Sequence, residues 1–351
     1  MNDPGDVIAA GWAALGDPRR IVLITEVSAM VSTNRVMRVL LDDDTAVIAK
    51  VSSYGSYYLF REDHDRLHRT REFLQHTRFA NLLADVLTKA GKVFTHFTGT
   101  EWVAFYQEVE RHGSLPRILN DADVRNLATE IAEFHLACHR ASATIPPTAT
   151  SLTSDVIYLL DLLTERGSAS RFSFSSAELD LVRRHCHEFL ESLDHLGYED
   201  WARIPVLVDW NLGNFSVDPD ERDPSHFRLF SRWDYDWFRI EPRQLDFYFL
   251  SRVSSQTGDR TVFTYGPHTL AEPRFISFIR AYHSIFPLSE NEVRFLPEAY
   301  RFFILNYVIR AGESFFQPTY CTKLQREAVT RGLPALDTFD ITPLLDAIWP
   351  S

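Results

Sequence analysis

The sequence predicts an α+β chain in two lobes, a small β-rich one followed by a larger, mostly α-helical one. Three observations predict this. Residues 21–51 hold three short β-branched runs separated by polar turns, the pattern of an antiparallel meander. Beyond residue 111 the pattern becomes a series of long stretches with helical periodicity. Two acid-bearing turns, at 209–214 and 234–246, interrupt those stretches, each reached through an apolar approach.

In chain order, residues 1–20 read as a short helix and a turn. Runs at 21–27, 35–41 and 45–51 form the meander, with breaks at 32–34 and at Asp42, Asp43 and Asp44. The third run carries Lys50 between apolar neighbours. That lysine is either an ordinary exposed strand residue or one that points across the sheet face. Residues 57–77 follow as an amphipathic helix, with Leu59, Phe60, Leu67, Phe73 and Leu74 on one stripe and Glu62 and Asp65 among its charges. Runs at 93–98 and 101–109 are two more strands. A polar turn with Gly113 and Pro116 then closes the first lobe, 1–110, and opens the second, 111–351.

Residues 121–141 form a strong helix, capped by Asn120 or Asp121, whose apolar stripe includes His135. A histidine on such a stripe reads as a satisfied core residue. Ser175 with Glu178 makes a capping box for a helix reaching Leu196. His185 and His187 on that helix do not have metal-binding spacing. Later helices are expected at 245–253, 273–286, 290–311, 322–330 and 344–349, in a region dense in aromatic residues.

Composition bounds the function. Over 351 residues, 45% are apolar and 13% aromatic, which is a packed globular chain and not a disordered one. The net charge of -12 argues against a basic nucleic-acid surface and would tolerate a cationic small molecule. The three cysteines form no CxxC pair and read as free thiols in a reducing compartment. The N-terminus has no basic leader, and no apolar run reaches the roughly 18 residues of a membrane helix. The expectation is a cytoplasmic protein with no membrane partner.

The chemistry concentrates at the two interrupting turns. Asp209 and Asn214 leave the apolar run 204–208, and Asp234 and Asp236 end the run 227–230. If the two runs pair as a hairpin, Asp209, Asn214 and Asp234 meet at one end. A hard cation such as Mg2+ takes this kind of oxygen donor, with phosphate oxygens completing its shell. A further carboxylate nearby can take a proton from an attacking hydroxyl. Neither GxxxxGK[ST] nor GxGxxG occurs.

The set Asp-x-x-x-x-Asn, a following Asp234-Tyr235-Asp236, then Pro242 and Asp246 resembles the aminoglycoside phosphotransferase and choline kinase group of small-molecule kinases. These share the protein-kinase-like fold. The resemblance runs in order and spacing from about residue 20 to about residue 316. It implies ATP and Mg2+ as cofactors and a small-molecule hydroxyl acceptor: an aminoglycoside, choline or another amino-alcohol, homoserine or a sugar-like compound. It implies Asp209 as catalytic base and Asn214 with Asp234 as metal ligands. Lys50 would hold the α- and β-phosphates, steadied by Glu62 or Asp65. Ser32, Thr33 and Asn34 would lie over the phosphates, and the backbone of Glu108 and Val109 would hold adenine. Asp246 would be structural, tying the metal loop to its helix. Trp210, Asp236, Trp237 and Arg239 would face the acceptor, the tryptophans suiting a cation and Arg239 or Arg243 a carboxylate. Monomer or homodimer are both compatible with this reading.

The sequence departs from that group at four places. Leu207 stands where a bracing histidine is usual, Arg232 where the approach is usually apolar, the pair Trp210-Asn211 where Leu-x is more common, and residues 28–34 contain no glycine. The first two motivate an alternative, a nucleotide-binding pseudokinase with a regulatory role. A second alternative is a metal-dependent glycosyltransferase that uses Asp234-Tyr235-Asp236 as its DxD, which would require a Rossmann-like βαβ order.

Overall fold

The computed structural model describes residues 3–28, 32–221, 223–259 and 266–349. The chain divides into two compact units. The first comprises residues 1–111 with two later segments, Phe230–Trp233 and Glu313–Tyr320. The second holds the remainder.

In the first unit, helix α1 (Pro4–Leu15) begins with Asp3 accepting the Gly5 N–H and ends at Gly16 with φ 80°. Strands β1 (Ile21–Glu26), β2 (Arg35–Leu41) and β3 (Ala46–Ser52) form the expected meander. Helix α2 (Tyr57–Leu74) follows, then the small strands β4 (Thr88–Lys89), β5 (Lys92–Val93) and β6 (Thr95–Phe97), and β7 (Trp102–Gln107). The five-stranded sheet has the order β1-β2-β3-β7-β6, and every neighbouring pair is antiparallel. This removes the glycosyltransferase alternative, which needed parallel βαβ units.

The core of this unit is α1 laid on the sheet. Val7, Ile8 and Trp12 pack on Val39, Val47, Ala49, Val51, Val103 and Phe105. Helix and sheet come so close that a Cβ on Gly11 would lie 2.6 Å from a Val103 methyl. Alanine there gains at most about 1 kcal/mol of helix propensity. A branched side chain adds overpacking of about 1–3 kcal/mol and no such gain. Gly11→Val is therefore expected to lower the urea midpoint, by about 2 kcal/mol of stability.

In the second unit, α3 (Asp121–Ala141) starts at a capping box in which Asn120 and Asp123 bond each other's backbone N–H. Helices α4 (Leu152–Thr164), α5 (Ser168–Phe172) and α6 (Ser176–Leu196) follow, and Ser175 with Glu178 caps α6 as expected. Strands β8 (Ile204–Val206), β9 (Phe215–Pro219), β10 (Phe227–Arg232) and β11 (Arg239–Glu241) then interrupt the helices. The expected hairpin of the runs 204–208 and 227–230 does not form. Instead β9 pairs with β10, and β8 pairs with β11. Pairing β9 with β10 closes a short local loop, whose ordering entropy is low, and the apolar pattern of each run fits either partner.

The remaining elements are α7 (Phe247–Ser254), α8 (Pro273–Ile285), α9 (Glu290–Arg294), α10 (Leu296–Phe302), α11 (Gly312–Phe315), α12 (Pro318–Glu327), α13 (Leu333–Leu336) and α14 (Thr342–Ile348). The single helix expected over 290–311 is broken. Pro297, at the start of α10, lacks an N–H and would clash with a continuing turn behind it. Residues Phe303–Arg310 then widen into a π-helix. All three cysteines are buried free thiols. No helix among the described residues is long and apolar enough to cross a membrane.

Candidate active site

Strand β8 ends at Val206, and the chain turns at once. The Asp209 N–H donates to the Leu207 carbonyl at 2.7 Å and the Trp210 N–H to the Val208 carbonyl at 3.0 Å. This forces Val208 to φ 60°, a left-handed conformation that a β-branched residue rarely adopts. A buried carboxylate holds it there: Asp246 Oδ1 accepts the Val208 N–H at 2.6 Å. Asp246 Oδ2 lies 2.8 Å from His135 Nε2, and His135 Nδ1 lies 2.9 Å from the Tyr282 hydroxyl. The side chains of Asp246, His135 and Tyr282 are wholly buried. Both ring nitrogens of His135 are engaged, so it is the core histidine the stripe predicted. Asp246 ties the Asp209 turn to α3. Leu207, buried in the core, leaves the bracing to Asp246 and His135.

Asp209 is half-buried, and its Oδ1 accepts the Asn211 N–H at 3.2 Å. A single helical turn, Leu212–Asn214, carries Asn214 to the start of β9. Asn214 is half-buried. Its N–H donates to the Asn211 carbonyl at 2.9 Å. Tyr248 on α7, which the sequence did not single out, is electrostatically linked to this turn. Burial pushes its hydroxyl up to about 12, opposed by Arg252 and reinforced by the Asp209 carboxylate.

Asp234 is exposed at φ 77°, and its Oδ1 accepts the Asp236 N–H at 3.3 Å. Asp236 is half-buried. Arg232, just before, is fully buried at the end of β10.

Three of the residues expected to face an acceptor are packing residues. Trp210 is fully buried, edge-on to Phe134 and Phe215. Trp237 packs on Phe249, Phe303 and Tyr307. The Arg239 guanidinium is 2.7 Å from Asp155 and 3.6 Å from Glu241, and it also bonds Thr150. Burial works against its charge, and Tyr307, Asp155 and Glu241 outweigh that, so its pKa stands above the ordinary arginine value. Arg243 is likewise held by Glu292 and the carbonyls of Phe286 and Pro287. A large aromatic beside a turn gains from burial, and a buried arginine is tolerated only where acids and carbonyls satisfy it; short sequence motifs reveal neither the burial nor those partners.

In the first unit, Lys50 sits on the central strand β3, opposite Val36 and Ala104, and is buried. The acids expected to reach it pair along their own helix: Glu62 with Arg66 at 3.1 Å and Asp65 with Arg69 at 2.7 Å. The i,i+4 spacing places each guanidinium directly beside its acid. Residues 29–31 of the expected phosphate loop lie outside the described residues. Its remaining part is covered by the segment Glu313–Tyr320. The Thr33 N–H donates to the Phe315 carbonyl at 3.2 Å, its hydroxyl bonds the Ser314 carbonyl, and Gln317 bonds the Ser32 carbonyl at 3.0 Å. The Asn34 N–H donates to Ser32 Oγ at 3.1 Å. Two of the N–H groups expected to cradle phosphate therefore have protein acceptors. Glu108 forms a two-pronged ion pair with Arg38, at 2.6 and 2.8 Å. The Glu108 and Val109 backbone leaves β7 with no backbone hydrogen bond among the described residues.

His185, Glu188 and Asp337 bring possible ligand atoms within 4.8 Å of one another, although the sequence spacing gave no sign of it. Arg184 NH1 lies 2.6 Å from Glu188 and 3.0 Å from Asp337, so a guanidinium holds the place between the two acids. Burial, with Arg301 nearby, holds the His185 pKa down to about 4.

A scan against protein-family models finds no match, and a search of curated proteins finds none. Solved structures do match across almost the whole chain. An amicoumacin kinase in complex with AMP-PNP, Ca2+ and Ami is 12% identical, with TM-score 0.63, covering 98% of this chain and 97% of its own. A microcompartment-associated aminopropanol kinase is 15% identical, with TM-score 0.59, covering 97% and 100%. A macrolide 2′-phosphotransferase type I is 13% identical, with TM-score 0.55, covering 93% and 97%. The chain has the fold of these small-molecule phosphotransferases, which is the protein-kinase-like fold expected from the sequence.

Proposed function

We propose that the protein transfers the γ-phosphoryl group of ATP to a hydroxyl of a small molecule. The observation that carries this is the Asp209 turn. A strained Val208, pinned by a buried carboxylate, sets Asp209 and Asn214 on one short turn of a phosphotransferase fold. Strain held in place by a buried network is what functional turns retain. The similar kinase with AMP-PNP and Ca2+ supports an ATP-type nucleotide and a divalent cation.

Asp209 is the base. It accepts the proton of the acceptor hydroxyl as that oxygen bonds to the γ-phosphorus and the bond to the β-phosphate oxygen breaks. Asn214 and Asp234 would hold Mg2+. Both are oxygen donors on turns, one half-buried and one exposed, and their chemistry fits a hard cation. When bound, that ion neutralises phosphate charge. Lys50 holds the α- and β-phosphates, and its buried strand position fixes where the ammonium lies. Glu108 and Val109 offer backbone groups to adenine. Lys50→Ala is expected to raise the KM for ATP about tenfold or more, with a smaller change in the KM for the acceptor, because one charge-assisted contact to phosphate is lost.

The acceptor is a small-molecule hydroxyl compound: an aminoglycoside, choline or another amino-alcohol, homoserine or a sugar-like compound. ADP release measured over aminoglycosides, choline and ethanolamine, homoserine and sugars tests the reading. At least one acceptor should raise the rate above ATP alone. No ADP from any of them, together with no melting shift by Mg-ATP, would sink it in favour of a non-catalytic role.

A further inference from the structure

The loop 255–259, which follows α7, has no part in the proposed chemistry, yet it reaches the Asn214 turn. Gly258 takes φ 64°, and a Cβ there would overlap the Arg117 carbonyl oxygen. This close approach lets the Asp259 N–H donate to that carbonyl at 2.7 Å. Arg274 bonds the Ser255 carbonyl at 3.1 Å and Glu272 accepts the Gln256 N–H at 2.8 Å, so the loop is anchored at its start as well. From this fixed backbone, Asp259 Oδ2 accepts the N–H of Leu212 at 2.7 Å.

Leu212 opens the single helical turn that ends at Asn214. The first N–H groups of such a turn have no partner within it, and a carboxylate bonds one more strongly than a neutral acceptor does. The far side of the turn is held by the segment 112–117, to which Arg117 belongs. Gly113 and Val217 exchange both backbone hydrogen bonds at 2.9 Å, and His112 lies 2.6 Å from Asp218. The turn is thus fixed on one side by β9 against that segment and on the other by Asp259.

We propose that Asp259 is a positioning residue for the Asn214 turn, holding it through Leu212 and taking its own place from Arg117 and Gly258. The proposal rests on the reading of Asn214 as a divalent-cation ligand. Asp259 acts through Leu212 and not by touching nucleotide or ion. Its amide analogue keeps an oxygen that can accept the same N–H, whereas alanine does not.

The test compares Asp259→Ala and Asp259→Asn in the full chain. Alanine should raise the Mg2+ concentration for half-maximal ATP turnover about tenfold, the loss of one hydrogen bond to a charged group. Turnover at saturating Mg2+ should change far less. Hydrogen exchange at the Leu212 amide should quicken in the alanine variant, and asparagine should restore both readouts. An unchanged Mg2+ requirement and unchanged Leu212 exchange in Asp259→Ala would overturn the proposal. So would an asparagine variant as impaired as alanine, since charge and not the accepted N–H would then be what matters. If the wild-type chain turns over no ATP, the kinase reading fails. Leu212 exchange and Mn2+ affinity by calorimetry in the two variants would then decide the Asp259 role by themselves.

Discussion

Asp209→Asn is expected to lower phosphoryl transfer to the acceptor about a thousandfold while leaving nucleotide binding and melting temperature close to those of the unaltered chain. The substitution keeps an oxygen for the Asn211 N–H, which Asp209 Oδ1 accepts at 3.2 Å. The turn should therefore persist, and the group lost is a proton acceptor. Steady-state ADP release with and without acceptor, alongside ATP affinity by calorimetry, separates the two effects. A fall in ATP affinity matching the fall in rate would place Asp209 in ground-state binding, contrary to its assignment as base. Equal rates for Asp209→Asn and the unaltered chain would favour the pseudokinase reading that Leu207 and Arg232 suggest.

The legible part of this fold was periodic and local. The meander, the α3 stripe and the Ser175/Glu178 box each follow from residues within a few positions of one another, and each formed as read. The Asp209 to Asn214 spacing was legible for the same reason. What escaped depends on partners far along the chain. Asp246 reaches His135 from 111 positions away, Leu212 meets Asp259 from 47, and Arg239 meets Asp155 from 84. An apolar strand run fixes the face it buries but not its neighbour, so β8 took β11 where β10 was expected. The same limit explains the acceptor residues. Trp210 and Arg239 beside the two acid-bearing turns look like pocket walls in sequence, and only the packing around them shows that their contacts are internal. Glu62 and Asp65 stand four residues before Arg66 and Arg69, and that spacing alone suffices to pair them along their own helix.

The buried Asp246 makes the second large prediction. Asp246→Ala is expected to cost about 3–5 kcal/mol of stability, because it leaves His135 and the Val208 N–H without an acceptor in a dry site. All three groups lie in the core, with Asp246 and His135 fully buried. One arrangement satisfies the whole chain of bonds: His135 Nε2–H and the Val208 N–H donate to the carboxylate, and the Tyr282 hydroxyl donates to Nδ1. Asp246→Asn keeps one acceptor and offers N–H groups to a ring that can turn its tautomer over, so it should cost roughly half as much. A loss of rate should accompany the loss of stability. Val208 holds a left-handed φ worth about 1–3 kcal/mol of strain, and without the Asp246 bond at 2.6 Å only the two bonds of the turn itself oppose its relaxation toward extended geometry. Relaxation would swing Asp209 away from its place at the head of the Asn214 turn. Turnover measured well below the lowered melting point should therefore remain reduced by at least about tenfold. A variant that loses stability but turns over normally when folded would show that Asp246 supports the core alone and that the strained turn holds itself.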